Sequence, residues 1–302
     1  MGHCAPSVLQ TLLDVTKTHN EWAVRATAGL PGGIGNTGNE CGGVTAPLVM
    51  LGTRYGLGTA SDGLPRVLEK GHDLCQRFLG CNGTLLCREI RGHARVPLRC
   101  VQVVRRSPEL YGETIAGDRP AAVRGERREA YRQLYAHFRA NDFHCAHAVL
   151  RELRDTIPVG QELLDGTSAF MGGTLFQGMT CSALTAGIMA LGLKLGRIEH
   201  SRLRVIRMIA TMAAGGDAFA DDMNEFNRIM NAGKRIAKWF TGEFGSAQCR
   251  SITSSDFSSA AGVQRYIDTN CMARCRHMVQ AVAGQVRSFI TKQQPPQWPS
   301  ES

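Results

Sequence analysis

The sequence has no apolar run long enough to span a bilayer. Its longest, residues 181–195, falls short and carries Lys194 near its end. No Cys-x-x-Cys pair occurs, which excludes the local knuckles of zinc ribbons and short ferredoxins. No Cys-x-x-Cys-His occurs either, so nothing supports covalent haem attachment. Few segments alternate with period two, which argues against a sheet protein. Nothing at the start resembles a signal peptide, because Met1-Gly2-His3-Cys4 leads straight into a helix-like pattern. The expected location is therefore cytoplasmic.

What is present is a globular composition, 43% hydrophobic and 20% charged over 302 residues, with length enough for two domains. The net charge of +9 comes mostly from arginine, part of it in the run over residues 119–139. Glu126 and Glu129 interrupt that run, so it reads as a solvated helix face rather than a nucleic-acid surface. Eleven cysteines are many for a reducing compartment. There they point to metal binding or redox chemistry rather than structural disulfides, unless they serve only as small buried hydrophobes.

Position decides between these readings, because the sequence repeats itself. His3-Cys4-Ala5 matches His144-Cys145-Ala146, and Val8-Leu9 matches Val149-Leu150. Gly32-Gly33 matches Gly172-Gly173, Cys41 matches Cys181, Thr45-Ala46 matches Thr185-Ala186, and Leu51-Gly52 matches Leu191-Gly192. Cys87-Arg88-Glu89-Ile90 matches Cys249-Arg250-Ser251-Ile252, after an insertion in the second copy near residues 202–222 that itself reads as a helix. Cys100 has two candidate partners, Cys271 and Cys275. Cys75 and Cys81 have none and read as packing or accessory residues.

The periodicity is helical throughout. Val44, Leu48, Leu51 and Tyr55 share one face, as do Leu184, Ile188, Leu191 and Leu195. Val263, Ile267, Val279, Val282, Val286 and Phe289 suggest one last long helix. Residues 29–43 and 166–178 read as loops. The fold expected is all-α: two tandem helical-bundle modules, 1–112 and 113–292, related by duplication, with a disordered tail over 293–302.

Gly33 to Gly38 spells GxGxxG, but the preceding segment looks helical and the second copy lacks the spelling, which argues against a dinucleotide loop. Cys41 and Cys181 are the sharpest positions. Each follows a Gly-rich loop and opens an apolar helix, whose free N–H groups and partial positive charge favour a thiolate. They are the expected nucleophiles if the chemistry is thiol redox. Gly32, Gly33, Gly42, Gly172 and Gly173 would let backbone or cofactor approach closely. His3 and His144 precede the first cysteines as ligands, relays or simple cap residues. Cys271 and Cys275 lie four apart, on one helix face. Four thiolates from four segments suit an iron–sulfur cluster or closed zinc site, and two of them a dithiol couple.

These residues resemble the redox-active family named for its C-GCAxxG-C-C cysteine pattern, over nearly the whole chain and twice. Cys4 to Leu9 and Cys145 to Leu150 resemble its opening helix; Cys41 to Ala46 and Cys181 to Ala186 resemble its central motif. Cys87 to Ile90 and Cys249 to Ile252 resemble its later element. Ala46 and Ala186 stand where a glycine is common. The resemblance implies redox or metal work. Similar modules accompany haem in split-Soret cytochromes, where an iron–sulfur cluster has been suggested.

The expected function is thus a redox protein with one iron–sulfur cluster per module, acting in electron transfer. The ligand sets would be Cys4, Cys41, Cys87 and Cys100, and Cys145, Cys181, Cys249 with Cys271 or Cys275. A thiol–disulfide oxidoreductase using Cys41 and Cys181, and a zinc-stabilised interaction protein, are the alternatives. The expected partner is a redox protein, with no membrane or nucleic acid; a homodimer is compatible.

Overall fold

A computed structural model describes residues 3–56, 63–92, 98–117, 123–196 and 225–292, with positions 203, 206, 210, 211 and 214 between the last two spans. The first copy contributes α1 (Cys4–Thr16), α2 (Glu21–Thr27), α3 (Gly42–Tyr55), α4 (Gly63–Asn82), α5 (Cys87–Arg91) and α6 (Leu98–Ala116). After α7 (Gly125–Ala140) the series recurs as α8 (Cys145–Glu152), α9 (Gln161–Thr167), α10 (Ser182–Leu195), α11 (Glu225–Phe244) and α12 (Cys249–Thr253). It closes with α13 (Ala260–Asp268) and α14 (Cys271–Lys292). Among the described residues the only extended pairings are two isolated bridges, Glu40 with Leu86 and Thr180 with Gln248. The all-helical, duplicated architecture is the expected one. The insertion near 202–222 and the tail over 293–302 lie essentially outside the described residues.

α3 and α10 are buried on nearly every face, from Gly42 to Gly52 and from Ser182 to Leu193. A helix apolar all round belongs at the centre of a core. α4 instead buries one stripe, Leu64, Val67, Leu68, Gly71, Leu74, Cys75 and Phe78, and leaves the opposite face wet.

The two copies do not sit side by side. α2 of the first copy packs against α10 of the second, and α9 of the second packs against α3 of the first. Glycines allow this approach. A Cβ on Gly192 would lie 2.5 Å from the Ala26 carbonyl oxygen, and one on Gly52 would lie 2.3 Å from that of Asp165. The exchanged helices are tied together by Trp22 Nε1 donating to Glu162 Oε2 at 2.7 Å. One core therefore runs through both halves.

One local expectation changes. The run from Val263 to Phe289 is two helices, because Asn270 at φ 49° turns the chain between α13 and α14. Gly112 is inside α6, which continues to Ala116 before the unduplicated α7. α7 and α13, both without counterparts, pack on each other.

The exchange predicts a contrast among helical glycines. Gly52→Ala and Gly192→Ala force backbone against backbone and should each destabilise by about 1–3 kcal/mol. Gly112→Ala, where an added Cβ meets nothing within 4 Å, should stabilise by about 0.5–1 kcal/mol. Chemical denaturation of the three variants measures this; equal effects at all three positions would refute the interlocked packing.

Candidate functional site

The second and third cysteines of each copy are joined by backbone. Cys41 N–H donates to Leu85 O at 2.8 Å, Cys87 N–H to Asn39 O at 2.7 Å and Arg88 N–H to Gly38 O at 3.0 Å. The second copy repeats this with Cys181 N–H to Ala247 O at 2.8 Å, Cys249 N–H to Met179 O at 2.6 Å and Arg250 N–H to Gly178 O at 2.9 Å.

A left-handed turn precedes each bridge. Residues 32–36 and 172–176 all have positive φ, and the second run includes Thr174, Leu175 and Phe176. This turn accounts for the GxGxxG spelling at Gly33 to Gly38, and no strand precedes it. Left-handed backbone costs a non-glycine residue about 1–2 kcal/mol. Ile34, Leu175 and Phe176 are fully buried, and burial of such side chains returns about 1.5–3 kcal/mol each.

The remaining thiols arrive on helices. In the first copy α1 brings Cys4 and α6 brings Cys100, and Cys41, Cys87 and both of these are within electrostatic reach of one another. The Gly32 N–H donates to the Cys4 sulfur. Gly42 is required by proximity, since a Cβ there would sit 2.5 Å from Cys4 Sγ. In the second copy Cys145, Cys181, Cys249 and Cys275 line one small cavity of about 10 Å³. A Cβ on Gly173 would lie 2.6 Å from the Cys249 Cβ. Gly33 and Gly172 shape the turns; a Cβ on them would strike Asn39 and Phe176.

Cys275, not Cys271, joins the other three. Cys271 Sγ lies on the rim, 3.2 Å from Thr269 Oγ1 and 3.5 Å from Thr253 O, where it is in electrostatic contact with Cys249. Cys75 is buried elsewhere and accepts from Gln177 Nε2 at 3.8 Å, and Cys81 is exposed. His144 acts as a cap: its Nδ1 accepts from His147 N–H at 3.3 Å and its Nε2 faces Ser168 O at 3.3 Å. Both ring nitrogens are thereby committed. His3 occupies the N-cap position of α1, buried, without a side-chain capping bond.

Acidity runs against the local expectation. The N-terminal amides do reach one central sulfur, Gly43 N–H to Cys41 at 3.5 Å, and the Ala183 and Leu184 amides lie near Cys181, which makes no capping hydrogen bond. Burial outweighs them. It raises Cys41 well above the ordinary thiol value, helped by repulsion from Cys4 and Cys87, and pushes Cys181 up to about 12. Cys41 and Cys181 are therefore not the most thiolate-like cysteines. Burial likewise raises Cys4 to about 11 and Cys87 to about 12. The exception is Cys275, lowered by a hydrogen bond from Cys145 and by one from the Tyr266 hydroxyl at 3.4 Å. Tyr266 lies on α13, which has no first-copy counterpart, so the repeat gave no signal for it.

The donor chemistry fits a cation-centred group. Each set is four thiols that would repel one another as thiolates and that a positive core would stabilise. Arg91 beside Cys87, Arg250 beside Cys249 and Arg274 beside Cys275 add further positive charge. Among the described residues no three His, Cys, Asp or Glu side chains are drawn as tightly as a single metal ion requires.

A family model described as "Putative redox-active protein (C_GCAxxG_C_C)" matches residues 2–114 and again 143–289. No curated protein and no solved structure matches the chain.

The acidity order predicts a labelling order. In reduced, metal-free protein near pH 7, iodoacetamide should modify exposed Cys81 first and Cys41 and Cys181 among the last. Below a pKa of about 12 the Cys181 thiolate fraction grows about tenfold per pH unit, so its labelling should climb without a plateau from pH 7 to 9. Peptide mapping that finds Cys181 modified as fast as Cys81 would overturn the assignment.

Proposed function

This chain belongs to the C_GCAxxG_C_C redox-active family, carrying its module twice, and on that premise we propose that it is an electron-transfer protein binding an iron–sulfur cluster at each four-thiol site. The ligands are Cys4, Cys41, Cys87 and Cys100 at one site and Cys145, Cys181, Cys249 and Cys275 at the other. The observation that carries this reading is the gathering of four buried or half-buried thiols, twice in one chain.

A bound cluster would supply a one-electron couple. The chain's residues would hold it, screen it from water and set its potential. Hydrogen bonds to sulfur and solvent exposure are the main controls on that potential. The second site has the Tyr266 hydroxyl on Cys275. A donor on a ligating sulfur stabilises the more negative, reduced state, so the two sites should differ in potential.

The hydrogen-bonded pair Cys145 and Cys275 favours one second reading, thiol–disulfide exchange. The Cys275 thiolate would attack a partner's disulfide, and Cys145 would displace the partner from the mixed disulfide. The partner leaves as a dithiol, and Cys145 and Cys275 remain oxidised to a disulfide.

Anaerobic purification followed by iron, acid-labile sulfide and zinc analysis separates the readings. The cluster reading expects iron, sulfide and a visible chromophore. Cys41→Ser and Cys181→Ser should each remove about half of it, and the double variant all of it. Zinc without a chromophore, or neither metal with a Cys145–Cys275 disulfide mapped after glutathione disulfide treatment, would reject it. With both sites loaded, Tyr266→Phe should lower the potential of the second site and leave the first unchanged, as read by a redox titration followed by electron paramagnetic resonance.

A further inference from the structure

The duplication supplies an internal control for the surfaces over the two thiol sets. Cys100 on α6 and Cys275 on α14 are equivalent, yet Cys275 is buried and Cys100 only half-buried. Their surroundings differ too. Beside Cys275 the chain takes up its own arginines: Arg274 donates to Ile252 O at 2.9 Å and Arg276 to Asn141 O at 3.0 Å. The Arg276 guanidinium also lies 4.7 Å from the Phe143 ring centroid. Asn141 and Phe143 stand between α8 and α7, and α7 has no counterpart in the first copy.

The outer face of α6 is bare by comparison. Leu98, Val101, Gln102 and Arg105 follow the i, i+3, i+4, i+7 spacing of one helix face, and all four are exposed. Leu98 is 67% and Val101 62% exposed. In the register that pairs Cys100 with Cys275, the second copy has Ala273 and Arg276 at these two positions. Large apolar side chains held in water beside a functional site mark a surface that meets a partner.

Charge says which kind of partner. Arg91, at the end of α5, and Arg99 and Arg105 on α6 are exposed around the two apolar residues. Arg91 acts electrostatically on both Cys87 and Cys100, which puts it at the edge of the first thiol set. None of the three makes an ion pair among the described residues. The acids of α6, Glu109 and Glu113, are taken by Arg106, and Glu89 alone leaves the arginines in excess. A second copy on this face would set arginine against arginine. An acidic surface complements it.

We propose that the outer face of α6 is the docking surface for a small acidic electron-carrier protein, with an apolar patch of the carrier on Leu98 and Val101 and its carboxylates on Arg91, Arg99 and Arg105. The proposal rests on the electron-transfer reading. A carrier seated there is separated from the first thiol set by the width of α6, about 10–12 Å. The first set thereby becomes the one that meets partners.

Titration of the full chain, purified anaerobically, with plant-type ferredoxin as the acidic carrier and mitochondrial cytochrome c as a basic one tests it. Ferredoxin should bind at low salt and lose at least about tenfold in affinity between about 20 and 300 mM salt, because exposed charges are screened. Cytochrome c should not bind. Leu98→Asp with Val101→Asp, and separately Arg99→Glu with Arg105→Glu, should each weaken ferredoxin at least about tenfold. Ala273→Asp, at the equivalent second-copy position, should change nothing. The two carriers and the salt series need no variant to fold. No ferredoxin binding at about 100 µM, equal binding of cytochrome c, or an affinity untouched by the α6 substitutions would each overturn the proposal. So would phosphatidylglycerol vesicles bound through this face, or a dimer in sedimentation that Leu98→Asp with Val101→Asp dissolves. Iron and acid-labile sulfide are measured on the same sample. Both present without docking sinks this proposal alone, and neither present sinks the electron-transfer reading beneath it.

Discussion

The short backbone bridge between residues 38–41 and 85–88, repeated between 178–181 and 247–250, is the constraint on which the sites depend. It fixes the start of a buried helix against the start of another, so two cysteines far apart in sequence share one point in space. Everything before the bridge serves to deliver it. The left-handed turn reverses the chain within a few residues, and its buried Ile34, or Leu175 and Phe176, anchor it in the core. The backbone cost of those residues and the free energy of burying them are of similar size. The turn is thus stable only inside the assembled fold.

Where the two bridges meet, the copies must differ. Glu40 and Thr180 occupy equivalent positions and touch each other: the buried Glu40 carboxylate accepts from the Thr180 N–H at 3.0 Å, the Thr180 hydroxyl and the Thr174 hydroxyl at 2.8 Å. A contact between equivalent residues lies on the pseudo-twofold axis. Two glutamates there would bury two mutually repelling carboxylates, and two threonines would lose the acceptor that satisfies three donors. A symmetric dimer of one module would have to carry the same residue twice on its axis. Fusing the copies allows a complementary pair, and the exchange of α2 and α9 across the same axis makes the halves parts of one core.

What the sequence made legible was the local and the repeated. Four cysteine positions, the Gly-rich approach to Cys41 and Cys181, and the all-helical class were all readable from spacing and periodicity. The interlock was not, because the apolar faces of α3 and α10 say that they are buried and not by which copy. The choice of Cys275 over Cys271 was not legible either, because both lie on one face of α14 and only the packing of its first turn puts Cys271 at the rim beside Thr269 and Thr253. The turn at Thr174, Leu175 and Phe176 carries no glycine signal and exists because the surrounding core holds it. Thiol acidity failed for the same reason: a helix N-terminus is visible in a sequence, whereas desolvation is set by everything packed around it, and for Cys41 and Cys181 it is the larger effect.

Duplication also shows where the two halves differ among the described residues. α7 and α13 lack counterparts and pack on each other, joined through Phe138 and Tyr266 with ring centroids 5.7 Å apart. From α13 comes the Tyr266 hydroxyl on Cys275, which makes the second thiol set unlike the first. From α7 comes Tyr131, whose ring stacks on buried His72 at 5.2 Å. Tyr131 in turn leans on Phe176 at 5.7 Å, and Phe138 stacks on Phe176 at 6.1 Å. Phe176 is the last residue of the left-handed run that precedes Cys181. One aromatic chain thus runs from His72, through the turn that positions the second site, to the tyrosine bonded to its fourth thiol. The first thiol set, gathered by α1, α3, α5, α6 and the Gly32 turn, shows no such ring series among the described residues.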